Sequence, residues 1–284
     1  MSPLAPLQPF LVTGAGGMLG RAWCTLLRQR GLTFRAASRE ELDVRRPDAI
    51  ATALDPDVRT LINCAAWTDV DAAESDEASA HTVNAQAVLE LALRCRKVAA
   101  LLVHYSTDHV FGGTSREPYS TDHACAPVNA YGRSKEHGER LLRSADCPHL
   151  LIRTSWLYAP WGNNFVRTIA RLARERAELG VVADQSGTPT SAEFLAEVTL
   201  ELLERGVRGT FHVTDGGVCN RYDLARAVAA HVNPSCRIQA RATSAYPRPA
   251  RRPEHAVLDL SQTAALLGEP PGWQVNLKSV LKRL

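Results

Sequence analysis

The stretch FLVTGAGGMLG, residues 10–20, sets four apolar or β-branched residues directly ahead of glycines at 14, 17 and 20. A short apolar run closed by glycine reads as a buried strand, and the chain that follows takes up a helical spacing. Glycines at such a turn let backbone come close to a pyrophosphate. The opening turn of the new helix then offers unpaired N–H groups and the positive end of its dipole. The motif is weak alone, so its surroundings decide. Outward from it, strand candidates recur at 33–37, 60–64, 99–106 and 149–153, with helical patterns at 19–30, 47–54, 77–97 and 130–144. Alternation of this kind builds a parallel sheet with right-handed crossovers and helices on both faces. The expected fold is therefore α/β, a Rossmann-type doubly wound parallel sheet with a dinucleotide at Gly14, Gly17 and Gly20.

Beyond residue 155 the alternation loosens. Helical patterns near 165–178, 192–204 and 222–230 are separated by loops such as ADQSGTPTS and YPRPARRPEH. The division predicted is a dinucleotide-binding domain over 1–155 and, over 156–284, mainly a smaller substrate-binding lobe, with segments free to interleave. Composition narrows the class. The 284 residues are 45% hydrophobic and 22% charged, and a net charge of +3 is too small to argue for nucleic acid. Seven cysteines without a C-x-x-C pair suit reduced thiols in a cytoplasm. The opening MSPLAPLQP lacks the features of a signal peptide, and no apolar run approaches the ~20 residues of a membrane span. A soluble cytoplasmic protein is expected, with a homodimer as the default assembly.

The second strand candidate ends in RAASRE. An acid at that point binds the adenosine ribose of NAD, whereas an arginine accommodates the extra phosphate of NADP. Ser38 and Arg39 stand there, so NADPH is the expected cofactor and NADH the alternative; Asp43 competes as an adenine-side contact. Further on, NAYGRSKEHGERLL carries Tyr131 and Lys135 four apart, neighbours on one helical face. A nearby ammonium lowers a phenol's pKa, which would let Tyr131 exchange a proton with a carbonyl oxygen. Lys135 is also placed to hydrogen-bond a nicotinamide ribose.

At these residues the chain resembles the extended short-chain dehydrogenase/reductases and, within them, the dTDP-4-dehydrorhamnose reductase family. The likeness runs through TGAGGMLG, LDV, NCAAWTDVDAAESD, VNAQAV, YSTDHVF, YGRSKEHGE, IRTSWLY, DQSGTPT, RPEHAVLD and GWQVNLKSVLKRL. It implies reduction of the C4 keto group of a dTDP-4-keto-6-deoxysugar. It makes Thr107 the third member of a catalytic group with Tyr131 and Lys135, and sets Thr107, Asp108 and Trp156 against the sugar. Met18, Leu19, Val44, Ala66, Trp67, Thr68 and Tyr105 join the cofactor contacts on the same grounds.

Some positions depart from the family. His109 stands where tyrosine commonly follows the STD triplet, and His255–Ala256 replaces an Asn–Ser pair. Arg251 and Arg252 are candidates for the nucleotide diphosphate, since guanidinium forks match phosphate oxygens. A nucleotide-sugar dehydratase is one alternative, but it needs an acid–base couple after the threonine, and Asp108 is followed by His109. A non-catalytic regulatory relative is another. His104 and His109 lack the spacing of metal ligands, and no metal site is expected.

Overall fold

The computed structural model describes residues 3–284. Its first half runs β1 (Phe10–Thr13), α1 (Met18–Gln29), β2 (Phe34–Ala37), α2 (Pro47–Ala53), β3 (Thr60–Asn63), α3 (Val70–Ser75), α4 (Glu77–His81), α5 (Ala87–Val98), β4 (Leu101–Thr107), α6 (Ala130–Ser144) and β5 (His149–Thr154). The second half adds β6 (Leu157–Tyr158), α7 (Phe165–Glu175), β7 (Glu178–Val182), β8 (Ser186–Gly187), β9 (Thr190–Ser191), α8 (Ala192–Glu204), β10 (Gly209–His212), β11 (Cys219–Asn220), α9 (Arg221–Val232), β12 (Arg237–Arg241), α10 (Ser261–Leu267) and α11 (Trp273–Leu281).

Strands β1, β3 and β4 are buried at every position. The apolar runs at 10–12, 61–62 and 101–103 are what parallel strands need when helices cover both faces. Alternate residues feed the two layers. Phe10, Val12, Ile62, Val103 and Ile152 pack with α1 and α8, while Leu11, Leu61, Leu102 and Leu151 pack with α2 and α5. The six strands lie in the order β2-β1-β3-β4-β5-β10, all parallel. Since β1 pairs with β2 on one side and β3 on the other, the order reverses at β1. A crevice opens there beyond the carboxyl ends of the strands, the usual ligand position in open α/β sheets.

The two layers of the molecule interleave in sequence. After β5 the chain leaves the sheet and builds a second core from Tyr158, Val166, Ile169, Leu179, Leu224, Trp273 and Leu277 around the parallel pair β7–β12. Residues 192–212 return: α8 packs on α1, and β10 extends the sheet beside β5. The lobe is thus anchored to the sheet at several points and overhangs its carboxyl edge. No helix is long and apolar enough to cross a membrane among the described residues.

Candidate active site

The glycine turn is as tight as a phosphate cradle requires. Gly14 has φ +62°, and a Cβ on it would stand 2.7 Å from the Ala65 nitrogen. A Cβ on Gly20 would overlap the Gly14 carbonyl oxygen, so the first turn of α1 closes onto the strand end only with glycine there. Gly17 caps α1 with no side-chain hydrogen bond, which leaves the helix N-terminus open to a ligand. A cleft runs from this turn along Ser38, Arg39, Asp43, Val44 and Arg45 to Ala66 and Trp67. Its shape and its open N–H groups fit a dinucleotide. Asp43 is not free at the adenosine end: Arg45 grips both its oxygens, Nε lying 2.9 and 3.1 Å away, and holds the carboxyl at about 2. Ser38, Arg39 and Glu40 also line the cleft beside β2.

A second cavity continues from Gly17, Met18 and Leu19 past Thr68, Tyr105, Thr107, Asp108, Tyr131 and Lys135 to Trp156. Here α6 delivers Tyr131 and Lys135 on one face, and the end of β4 delivers Thr107. Asn129 starts α6 by accepting from the Gly132 amide at 2.8 Å, an N-cap bond that fixes the helix entry. A Cβ at Gly132 would overlap the His109 carbonyl oxygen, so glycine there lets the helix press against the turn after β4. Lys135 Nζ donates to the Tyr105 carbonyl at 2.6 Å and lies 3.4 Å from His104 Nε2. Burial pushes Lys135 down to about 8. Burial also pushes the Tyr131 phenol up, to about 12, against the lowering contact of the Thr107 hydroxyl. The expected lowering of this phenol by its ammonium neighbour is therefore not found; loss of solvation is the larger effect.

The Tyr105 side chain packs under α1 and α8. Its hydroxyl accepts from Trp23 Nε1 at 2.7 Å, so the residue meets Lys135 through its carbonyl. Thr107 Oγ1 donates to Asp108 Oδ1 at 2.9 Å, and Asp108 Oδ2 is buried without a partner. Burial raises the Asp108 carboxyl, opposed chiefly by His109. Burial lowers the His109 pKa, opposed chiefly by Asp108. Asn129 Oδ1 is taken by Gly132, so its Nδ2 donates to His109 Nδ1 at 3.0 Å and to the Arg251 carbonyl at 2.8 Å. Trp156 has φ +44°, unusual for a bulky residue, and the Arg221 guanidinium lies over its ring at 3.7 Å from the centroid.

A third cavity, about 790 Å³, opens under the lobe and is lined by Phe165, Arg221, Tyr246, Arg248, Arg251 and Arg252 among others. Arg251 and Arg252, the candidates for a diphosphate, both line this cavity, and Arg252 is already engaged. Asp71 binds its guanidinium at 2.9 and 3.0 Å, which ties the 250–252 loop to the start of α3. Reading the sequence also missed Asn84. Its side chain bonds both backbone groups of Trp67, at 2.9 and 3.0 Å, from a π-helical segment between α4 and α5. Such bulges are frequent at functional sites. No trio of metal-ligating side chains occurs among the described residues.

Comparison with known proteins agrees with this geometry. The family described as RmlD substrate binding domain matches residues 8–284. A dTDP-4-dehydrorhamnose reductase of Burkholderia thailandensis is 42% identical, over 93% of this chain and 95% of its own. A dTDP-4-keto-6-deoxy-D-glucose reductase of Streptomyces niveus is also 42% identical, over 76% of each chain. Among solved structures, a Bacillus anthracis dTDP-4-dehydrorhamnose reductase in complex with NADP superimposes with a TM-score of 0.93 at 32% identity, covering 97% of this chain and 99% of the other. The chain belongs to the RmlD substrate binding domain family, that of the dTDP-4-dehydrorhamnose reductases.

Proposed function

We propose that this protein reduces the C4 keto group of dTDP-4-dehydro-L-rhamnose, or of a closely related dTDP-4-keto-6-deoxysugar, to the alcohol with NADPH. The observation that carries this reading is a Tyr131–Lys135–Thr107 cluster at the far end of a cleft that begins in a glycine turn. The reduced nicotinamide, when bound, supplies the hydride. Gly14, Gly17 and Gly20 admit its pyrophosphate to the N-terminus of α1, and Ala66, Trp67 and Thr68 wall the path between. Arg39, at the end of β2 in the lining of the cleft, supports the phosphorylated dinucleotide over NADH, and Asp43 is already paired with Arg45.

Tyr131 donates its phenolic proton to the oxygen as the carbonyl becomes an alkoxide. A phenol near 12 is fully protonated at neutral pH, the state a reductase needs before each turnover. Lys135, anchored on the Tyr105 carbonyl, stabilises the phenolate that remains and is placed for the ribose. Thr107 orients the carbonyl by hydrogen bonding, and Asp108 and Trp156 hold the sugar. In this assignment the sheet half over 1–155 is the cofactor domain, and 156–284 supplies most of the substrate lobe. Seven cysteines without regular spacing support a reducing, cytoplasmic setting, and a homodimer is the assembly we propose.

The test is a panel of dTDP-4-keto-6-deoxysugars with NADPH or NADH, followed by analysis of the C4 configuration of the product. Stoichiometric NADPH oxidation with formation of a dTDP-6-deoxyhexose supports the proposal. Water elimination with the nicotinamide recycled would replace it with a dehydratase. No oxidation on any substrate, with capture of another enzyme in a pull-down, would favour a regulatory subunit.

A further inference from the structure

The reaction cavity and the cavity under the lobe share Val70, Asp108, His109, Trp156 and Arg221 in their linings. Arg221 is the one cation in both. It is the first residue of α9, whose N-cap Asn220 accepts from the Asp223 amide at 2.8 Å, so its backbone is fixed. The guanidinium lies 3.7 Å from the centre of the Trp156 ring and 5.1 Å from that of Phe165. No hydrogen bond or ion pair engages it among the described residues. The other cations nearby are differently placed. Arg252 is bound by Asp71, Arg248 is 67% exposed and 3.9 Å from the same carboxylate, and Arg251 is exposed and borders the lobe cavity but not the reaction cavity. A largely buried guanidinium with five donors and no acceptor is costly to leave unpaired. It is pre-aligned by stacking on aromatic faces, the setting in which arginine forks bind phosphate oxygens.

We propose that Arg221 binds the diphosphate of the nucleotide-sugar where it crosses from the reaction cavity to the lobe cavity. This rests on the reading above, because it uses the linear order of that substrate. With the keto carbon at Tyr131 and Thr107, the diphosphate follows the sugar ring and the nucleoside follows the diphosphate. The junction of the two cavities is where the negative charge falls. Trp156 then has two tasks on one ring: it carries Arg221 and borders the sugar. Asp108, which borders both cavities, limits how far the anion can slide toward the carbonyl.

The experiment is calorimetric titration of the NADPH-loaded protein with thymidine diphosphate and, separately, thymidine. It compares wild type with Arg221→Met and Arg221→Lys. Wild type should bind the diphosphate at least tenfold more tightly than thymidine. Arg221→Met should lose most of that margin while keeping the wild-type affinity for thymidine and for NADPH. Arg221→Lys, which keeps charge without the fork, should fall between the two. Equal diphosphate affinity in wild type and Arg221→Met overturns the proposal, as does an equal loss for thymidine and its diphosphate. Where methionine disturbs the packing enough to abolish NADPH binding, Arg221→Lys decides alone: severalfold weaker diphosphate binding supports the assignment, and unchanged binding overturns it. The readout is binding, so it is separable from the reductase reading. A wild type that discriminates through Arg221 but reduces no keto-sugar would retain the diphosphate site and lose the reaction.

Discussion

Tyr131 and Lys135 owe their properties to burial more than to each other. Desolvation disfavours a phenolate and an ammonium alike, so one pKa rises to about 12 and the other falls to about 8. The phenol keeps its proton through the whole working range, and the limiting ionisation belongs to the lysine. We expect kcat/KM for NADPH, which reports groups on the free enzyme, to fall as pH rises through about 8 with loss of the Lys135 charge. A profile flat to pH 10 would remove Lys135 from the assigned role. Tyr131→Phe should leave NADPH binding, read by quenching of protein fluorescence, close to wild type. It should lower kcat by roughly 10²–10⁴-fold, the usual contribution of a positioned acid. The pairing was legible because i and i+4 share a helical face. The direction of the pKa shift was not, since it depends on solvent excluded by residues distant in sequence. Arg221 was illegible for the same reason: nothing near it in sequence marks the two aromatic rings it meets.

At the level of elements, β1, β3 and β4 read clearly because they are buried on both faces, and α6 and α8 were read to the residue. The pieces that escaped are short or set by long-range contact. Strand β10, GTFH, is only half buried and is a strand because β5 leaves an edge beside it. The π-helical 82–86 segment lies inside what reads as one continuous helix. Its irregularity is matched by Gly138 of α6, where a Cβ would overlap the Asn84 carbonyl oxygen. In the lobe, Asp215 ties three elements together. It accepts from Tyr158 at 3.0 Å and from Asn276 of α11 at 2.8 Å, and it faces the Ser191 amide at 3.4 Å. Burial raises its carboxyl from 3.8 to about 7. The folded state therefore keeps a proton that the unfolded chain releases near pH 4. The resulting stabilisation is complete below that pH and is lost as pH rises through about 7. The amount at stake is about 4 kcal/mol, at about 1.4 kcal/mol per tenfold change in proton affinity. Wild-type Tm should fall between pH 5 and 8, and Asp215→Asn should flatten that slope and melt higher than wild type at pH 8. Parallel pH profiles for the two proteins would show that the carboxyl does not titrate there.

For the molecule as a whole, function follows from one chain passing repeatedly between the sheet and its overhanging lobe. The crevice at the reversal of strand order would exist in any open α/β sheet; in the proposed assignment it is the roof that makes it a site for a sugar nucleotide. That roof is built from segments far apart in sequence: Trp156 and Phe165, the start of α9, and the 250–252 loop clamped to α3 by Asp71. The clamp joins the sheet layer directly to the lobe, so a ligand held at the crevice should resist unfolding of both layers together. With NADPH at about one hundred times its Kd, linkage gives about 2.7 kcal/mol of stabilisation, roughly 5–8 °C in Tm for a chain of this size. Thymidine diphosphate added at a similar excess should add a comparable increment, and the melt should remain a single transition. Arg252→Ala removes the clamp while leaving the glycine turn and α6 intact. In that variant we expect the NADPH increment to persist and the diphosphate increment to shrink. Two separate melting transitions, with NADPH shifting only one, would mark the lobe as released from the sheet. An unchanged diphosphate increment would instead show that the Asp71–Arg252 pair has no part in holding the roof.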